Sequence, residues 1–284
     1  MIMKTRSFIP ALMAALALSS CYHEKDITAE IGEPQYVIED SEEPVGHFIY
    51  EFYQNYGVYI LYDYSELDYR WNLNSTELLN EDYNFIRQKD KAALSLGIEY
   101  LEKTLFQFYD DGFKQKYFPI KILLADTIIN GSYSSGNKDD IAFSGRNYLA
   151  IGRIRQDLEN LSDEELKERR GIIHGKLWAN NIYTNGLIEI PQEFFEPGLE
   201  YYGKSLGKDA DPRAFGFWST TGYANTAPTQ NQDIDDFVRM ITSHTQAEME
   251  AEMADYELLR NKYEILLNCL NTQYHIDLQS IGNQ

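Results

Sequence analysis

Apolar residues recur at helical spacing in four stretches of the chain. Aromatic residues four positions apart predict a helix over 47–56, which Gly57 can end. A Gly-poor stretch with an apolar face predicts a long helix over 80–110. A capping-box pattern precedes a third helix over 163–181. The absence of Gly and Pro between Pro228 and Gly282 predicts two helices within 233–274.

Three shorter runs rich in β-branched and aromatic residues predict strands over 58–64, 120–124 and 141–151. Gly145 marks a bulge or turn in the last of them. Pro191 suits the first turn of a short helix. A few strands followed by helices indicate a mixed α+β domain with one core.

Composition narrows the range of functions. The 284 residues include 25 basic and 45 acidic side chains, and the net charge is −20. Such a chain repels phosphate, so we expect no nucleic-acid partner. Its two cysteines, Cys21 and Cys269, are too few for a disulfide scaffold or a four-thiolate zinc site.

The first 20 residues are typical of an export signal. Lys4 and Arg6 form a basic start, an apolar run follows, and Leu18-Ser19-Ser20 precede Cys21. This end resembles the lipobox of bacterial lipoproteins, in which the cysteine carries the lipid; an ordinary signal with a chance cysteine is the alternative. We therefore predict a signal peptide over 1–20, an acidic tether over 21–45 and a folded domain over 46–284.

A lipid on Cys21 would anchor the mature protein to a membrane, with Cys269 as a lone thiol. Removing residues 1–20 removes two basic and no acidic residues, which lowers the net charge from −20 to −22. The acidic tether resembles surface-export signals of some Gram-negative lipoproteins, although a solvated linker explains the same residues. We expect an outer-membrane lipoprotein that is exposed at the surface if that signal operates.

One histidine stands in a context that suggests chemistry. A zinc peptidase of the HExxH type needs two histidines four residues apart and a glutamate after the first. His174 can be the first histidine, but Gly175 stands at the glutamate position and Trp178 at the second histidine. Glycine has no side chain and the indole nitrogen only donates hydrogen bonds, so neither replacement keeps the role.

Several blocks occur in the same order as in a known family. They are the lipobox, an aromatic helix running into a Tyr-rich strand over 52–60, the strand block 117–122, the helix of His174, the segment 216–219 and the segment 235–239. Over roughly residues 45–250 the chain resembles the zinc-binding metallopeptidase lipoproteins, also described as substrate import-associated zinc metallohydrolase lipoproteins.

The resemblance implies a zincin-like fold, with a small twisted sheet beside an active-site helix and a helical C-terminal half. It also implies an acidic third metal ligand on a later helix, where Asp235 and Asp236 align while Arg239 replaces the final acid. A guanidinium cannot bind a cation. The metal set is thus vestigial, comprising His174, Asp235 and Asp236. The two aspartates have an alternative role as partners of a helix dipole.

Three hypotheses follow. The first is an inactive lipoprotein that binds or assists beside an outer-membrane nutrient-uptake system, with no cofactor; the partner class comes from the resemblance. The second is an active zinc metallohydrolase with a rearranged site built from His174, His244 and Asp235 or Asp236. The third is a glycan- or peptide-binding protein with an aromatic cleft that includes Trp178 and Trp218.

Overall fold

The computed structural model describes residues 36–70, 83–130, 139–222 and 224–284. The predicted signal peptide, Cys21 with its predicted lipid, and most of the predicted tether lie outside these ranges. Residues Ile38–Gln284 form one compact unit. Its first helix begins at Pro44, two residues before the domain start predicted from the sequence.

The described elements are as follows. The helices are α1 Pro44–Tyr56, α2 Leu67–Arg70, α3 Lys91–Thr104, α4 Asp111–Tyr117, α5 Asp163–Lys176, α6 Gln192–Phe195, α7 Gln230–Ser243, α8 Gln246–Glu252, α9 Glu257–Tyr274 and α10 Gln279–Gly282. The strands are β1 Tyr59–Leu61, β2 Tyr83–Arg87, β3 Lys121–Asn130, β4 Ala142–Ser144 and β5 Tyr148–Ile151. A π-helix, Leu177–Tyr183, continues α5, and single 3-10 turns span Phe106–Phe108, Gln156–Asn160, Glu196–Gly198 and Pro212–Phe215.

The strands form one mixed sheet in the order β1-β3-β5-β4. The pairs β1–β3 and β3–β5 are parallel, whereas β4 pairs antiparallel with β5 at the edge. Strand β2 pairs antiparallel with the second half of β3. The α+β prediction is therefore confirmed: the strands of the small sheet lie between residues 59 and 151, among the helices α2, α3 and α4, and every named element after residue 151 is a helix or a helical turn.

The predicted helix over 47–56 is confirmed; it ends at Gly57, whose φ of 70° is left-handed. The prediction of one helix over 80–110 is wrong. Residues 83–87 form β2, which pairs with β3, and the apolar residues at helical spacing begin only at Ala92. Helix α3 begins only after Asp90, whose carboxylate accepts hydrogen bonds from the next backbone amides.

The predicted strand over 141–151 is a hairpin that turns at Gly145, where any side chain would overlap the ring of Tyr148. The capping box of Ser162 and Glu165 is confirmed. Three helices, α7, α8 and α9, lie between Pro228 and Tyr274 where two were predicted, because a capping box at Thr245 begins the separate helix α8.

One apolar core joins the sheet to α3, α5 and α7, and Leu101, Ile122, Ile173 and Phe237 within it are fully buried. Among the described helices, none is long and apolar enough to cross a membrane.

Candidate functional site

Helix α5 places the motif residues between α3 and α7. Two glycines one turn apart let α5 and α7 approach closely. A Cβ on Gly171 would come within 2.7 Å of the carbonyl oxygen of Arg239, and a Cβ on Gly175 would overlap the carboxylate of Asp235. Gly175 stands where the HExxH pattern requires glutamate, so the space for that side chain is already filled by α7.

His174 is fully buried, and both of its ring nitrogens are occupied. Its Nε2 lies 2.9 Å from the backbone oxygen of Thr104. A carbonyl only accepts, so we assign the proton to Nε2. The other nitrogen, Nδ1, lies 2.7 Å from the hydroxyl of Tyr109 and therefore accepts its hydrogen. No lone pair of His174 is left for a metal ion.

The Tyr109 hydroxyl is the centre of a buried hydrogen-bonded cluster, which we call the Tyr109 hub: Tyr109, His174, Trp178 and the Thr104 carbonyl. The indole Nε1 of Trp178 donates to the Tyr109 oxygen over 2.8 Å. The hydroxyl thus accepts from Trp178 and donates to His174. The side-chain polar groups of the hub are paired within the protein, as buried polar groups must be.

Burial also fixes the charge of the hub. It lowers the pKa of His174 to about 3; the hydrogen bond to Thr104 opposes this, while the nearby charge of Arg170 adds to it. Burial raises the pKa of the Tyr109 phenol. His174 and Tyr109 are therefore both neutral at physiological pH.

A cleft of about 320 Å³ lies between the edge of the sheet and helices α5 and α7; we call it the charged cleft. Its lining carries acids and bases together: Asp139, Asp140, Ile141, Ala142, Arg153, Ile172, Lys176, Asp235, Asp236 and Arg239. Helix α5 contributes Ile172 and Lys176, each two positions from His174. Two positions are a rotation of about 200° around a helix, so His174 points away from the cleft.

The two predicted acidic ligands lie at the charged cleft and are engaged by protein groups. The carboxylate of Asp235 forms an ion pair with the ammonium of Lys176. The carboxylate of Asp236 accepts a hydrogen bond from the hydroxyl of Ser219. Burial raises the pKa of Asp236 to about 6, and the negative charges of Asp235 and Asp233 also raise it, against the lowering effects of Ser219 and Arg239.

The predicted metal ligands do not come together. His174 belongs to the hub and Asp235 pairs with Lys176, while Nδ1 of His244 lies 3.0 Å from the backbone oxygen of Met240 at the end of α7. Within the described ranges, no three His, Cys, Asp or Glu side chains form a group that could hold a metal ion. The residues present therefore do not fit a zinc site, whether of the HExxH type or of the rearranged type.

The indoles proposed for an aromatic cleft lie elsewhere. Trp178 is 1% exposed and belongs to the core. Trp218 is half-buried against Phe237, with 5.8 Å between ring centroids, and its Nε1 is buried without a partner in the described part of the chain. Trp178 cannot line an open cleft.

A second buried charge cluster had not been predicted. The ammonium of Lys262 lies 2.6 Å from a carboxylate oxygen of Asp233, and both side chains are fully buried. The ammonium also donates to the backbone oxygen of Gly216. Three phenyl rings surround it, with centroids 4.6–5.0 Å away: Phe194, Phe217 and Phe237. In the sequence, Lys262 lies at helical spacing between Leu259 and Leu266, on the apolar face of α9. That position was the one sequence signal that this lysine is buried.

Comparison with known proteins supports the fold. No family model matches the chain, and no curated protein matches it. The structure is similar to a crystal structure described as a "putative zinc-binding metallo-peptidase" from Bacteroides caccae ATCC 43185, with a TM-score of 0.52 and 13% sequence identity, over 87% of this chain and 93% of that chain. At this identity the likeness shows the fold alone, and it confirms that the chain has a zinc metallopeptidase fold.

Proposed function

We propose that the protein is a catalytically inactive relative, by fold, of the zinc metallopeptidases. The observation that carries this proposal is the use of both ring nitrogens of His174 by Thr104 and Tyr109 inside the core. A catalytic zinc ion needs three protein ligands and an open position for water. Gly175 and Trp178 cannot supply a metal ligand. His174 has no ring nitrogen free to bind a metal, because both are in hydrogen bonds.

The role that remains is binding. The charged cleft has a volume at the lower end of the range typical of small-molecule sites, about 300–1,000 Å³. Four acidic and three basic side chains line it, which suits a polar ligand with charges of both signs. We propose this cleft as the place where the ligand lies.

We further propose that the protein is a lipoprotein of the outer membrane, anchored through Cys21, and that it assists a nutrient-uptake system there. Support comes from the lipobox-like sequence before Cys21 and from the resemblance to lipoproteins associated with substrate import.

The catalytic part of the proposal is tested on the mature protein, purified in detergent without chelator. Elemental analysis should find zinc far below one ion per chain. Incubation with a peptide library should show no cleavage above that of buffer, with or without added Zn²⁺. One zinc ion per chain, together with cleavage that His174→Ala abolishes, would show that the protein is an enzyme.

The anchoring part has a matched pair of variants, since the chain holds two cysteines. Cys21→Ala should move the protein from the membrane fraction to the soluble fraction and prevent incorporation of labelled fatty acid. Cys269→Ala, which changes a buried free thiol, should leave both unchanged. Fatty-acid labelling that survives Cys21→Ala would exclude this anchor.

A further inference from the structure

Several charged side chains of the charged cleft are neutralised within the protein. The ammonium of Lys176 forms an ion pair with the carboxylate of Asp235. On the sheet side, Oδ2 of Asp139 lies 2.9 Å from a guanidinium nitrogen of Arg155 and 3.5 Å from Nε of Arg153. These groups shape the cleft, and their charges need no ligand to balance them.

Two other charged side chains of the cleft, Asp236 and Arg239 on α7, lack such a partner. The carboxylate of Asp236 accepts a hydrogen bond from Ser219, but it forms no ion pair with any residue that the structure describes. The guanidinium of Arg239 lies 3.7 Å from the carboxylate of Glu168, which is 62% exposed. An exposed ion pair of this kind contributes only about 0–1 kcal/mol, so Glu168 can give way to a ligand.

The spacing of Asp236 and Arg239 suits one small ligand. Residues three apart on a helix lie on the same face, with about 5–6 Å between their Cβ atoms. An α-amino acid carries its ammonium and its carboxylate on a single carbon atom, so one molecule can reach both side chains. Its ammonium can donate three hydrogen bonds to carboxylates, and a guanidinium can bind its carboxylate through two parallel hydrogen bonds.

The sheet side of the cleft offers a further acceptor. Both arginines contact Oδ2 of Asp139, whereas its Oδ1 is buried and has no hydrogen-bond partner among the described residues. Buried polar atoms are almost always paired, so this oxygen indicates a donor from outside the chain, which is a water molecule or an N–H group of a ligand. An ammonium has enough hydrogens to serve more than one carboxylate.

The remaining lining of the cleft is apolar. It consists of Ile141, Ala142 and Ile172, and the two isoleucines are half-buried, so part of each side chain is open to the cleft. Ligand pockets typically combine apolar walls with a few polar groups that fix orientation. The volume of about 320 Å³ corresponds to about ten water molecules. These features suit a compact ligand with an aliphatic side chain.

We infer that the charged cleft binds a free α-amino acid with an aliphatic side chain, its ammonium at Asp236 and its carboxylate at Arg239. This inference rests on the proposed function, which puts the ligand in this cleft. The site lies on the face of α5 that carries Ile172 and Lys176, and His174 points away from it.

The test is calorimetric titration of the dialysed mature protein in detergent, with L-leucine as the probe. Leucine should bind saturably, with one molecule per chain. Isoamylamine, which is leucine without its carboxylate, and isocaproate, which is leucine without its ammonium, should each bind at least about 10-fold more weakly. This difference corresponds to about 1.4 kcal/mol.

Two variants locate the site. Asp236→Asn keeps an acceptor for Ser219 and removes the negative charge, and Arg239→Gln removes the positive charge. Each should weaken leucine binding at least about 10-fold. Asp209→Asn is the matched control, because Asp209 is exposed and lies outside the cleft, and it should leave binding unchanged. The three probes are compared on the wild type, so that comparison stands even if a variant fails to fold.

The inference is overturned if leucine shows no saturable binding at millimolar concentration, if either single-charge probe binds as tightly as leucine, or if a folded cleft variant binds leucine unchanged. Binding of a single-charge probe that is lost in Asp236→Asn or Arg239→Gln would overturn the amino-acid assignment and leave the cleft as the binding site of the proposed function. One zinc ion per chain with peptide cleavage would overturn the proposed function itself, whatever leucine does.

Discussion

The hydroxyl of Tyr109 donates to Nδ1 of His174 across 2.7 Å inside the buried Tyr109 hub. Tyr109→Phe removes that oxygen and leaves two buried groups unpaired, the imidazole Nδ1 and the indole N–H of Trp178. Each unpaired group costs about 1–3 kcal/mol. We expect the free energy of unfolding to fall by about 2–6 kcal/mol, measured by urea denaturation at pH 7.

Tyr117 provides the control for this substitution. Its ring is buried against Phe113, with 4.8 Å between centroids, and no side-chain hydrogen bond of its hydroxyl is seen in the described part of the chain. Tyr117→Phe should therefore change stability by much less. Equal effects of the two substitutions would mean that the Tyr109 hydroxyl has no special role.

The pH dependence of stability should carry the signature of a buried neutral histidine. The pKa of His174 is about 3 in the folded protein and near its usual value of about 6.5 in the unfolded chain. The unfolded chain then binds the extra proton between these values, so acid favours unfolding. Stability should fall by about 1.4 kcal/mol per pH unit from this residue as the pH drops below 6.

His174→Gln should flatten that slope, because an amide can donate to Thr104 and accept from Tyr109 without titrating. His47 offers a contrast of opposite sign, since its hydrogen bond with Asp40 raises its pKa. The contribution of His47 is present below its unfolded pKa and is lost as the pH rises through its folded pKa. The measurement is the urea midpoint from pH 4 to pH 8 for the wild type, His174→Gln and His47→Gln. Comparing the variants separates the contribution of His174 from that of His47. A slope unchanged in His174→Gln would rule out a neutral buried His174.

Local chemistry made part of this structure predictable. The capping box of Ser162 and Glu165 involves residues three apart, so the start of α5 was visible in the sequence. The same holds for Gly57, where a left-handed turn ends α1. Such features depend on neighbours in the chain and need no knowledge of the fold.

Contacts between distant residues were not predictable. Tyr109 lies 65 positions before His174, and no spacing rule connects them. The motif pattern therefore identified His174 as a candidate metal ligand, while a distant hydroxyl determines its chemistry. Strand β2 shows the same limit, because its five residues precede the helical pattern that begins at Ala92 and their pairing with β3 involves residues about 40 positions away.

Gly175, which stands at the glutamate position of the HExxH pattern, should tolerate no side chain. A Cβ on Gly175 would overlap the carboxylate of Asp235, so Gly175→Ala should destabilise the protein by about 1–3 kcal/mol. Gly175→Glu restores the glutamate of the HExxH pattern, and it should destabilise further and produce no peptidase activity.

Gly112 in α4 is the control, because an added Cβ there meets its nearest atom at 3.5 Å. Gly112→Ala should stabilise by about 0.5–1 kcal/mol. Wild-type stability of Gly175→Ala would show that the two helices do not approach so closely.

The buried pair of Lys262 and Asp233 should show strong coupling. Lys262→Met leaves the carboxylate of Asp233 buried without its cation, which costs about 3–5 kcal/mol. Adding Asp233→Asn removes the unpaired charge, so the double variant should recover much of that loss.

The exposed pair of Lys91 and Glu43 is the control, and Lys91→Met should leave the urea midpoint unchanged. A double-mutant cycle by urea denaturation measures the coupling directly. Additive losses from the two single variants would mean that Lys262 acts by filling the space between three phenyl rings, and not by neutralising Asp233.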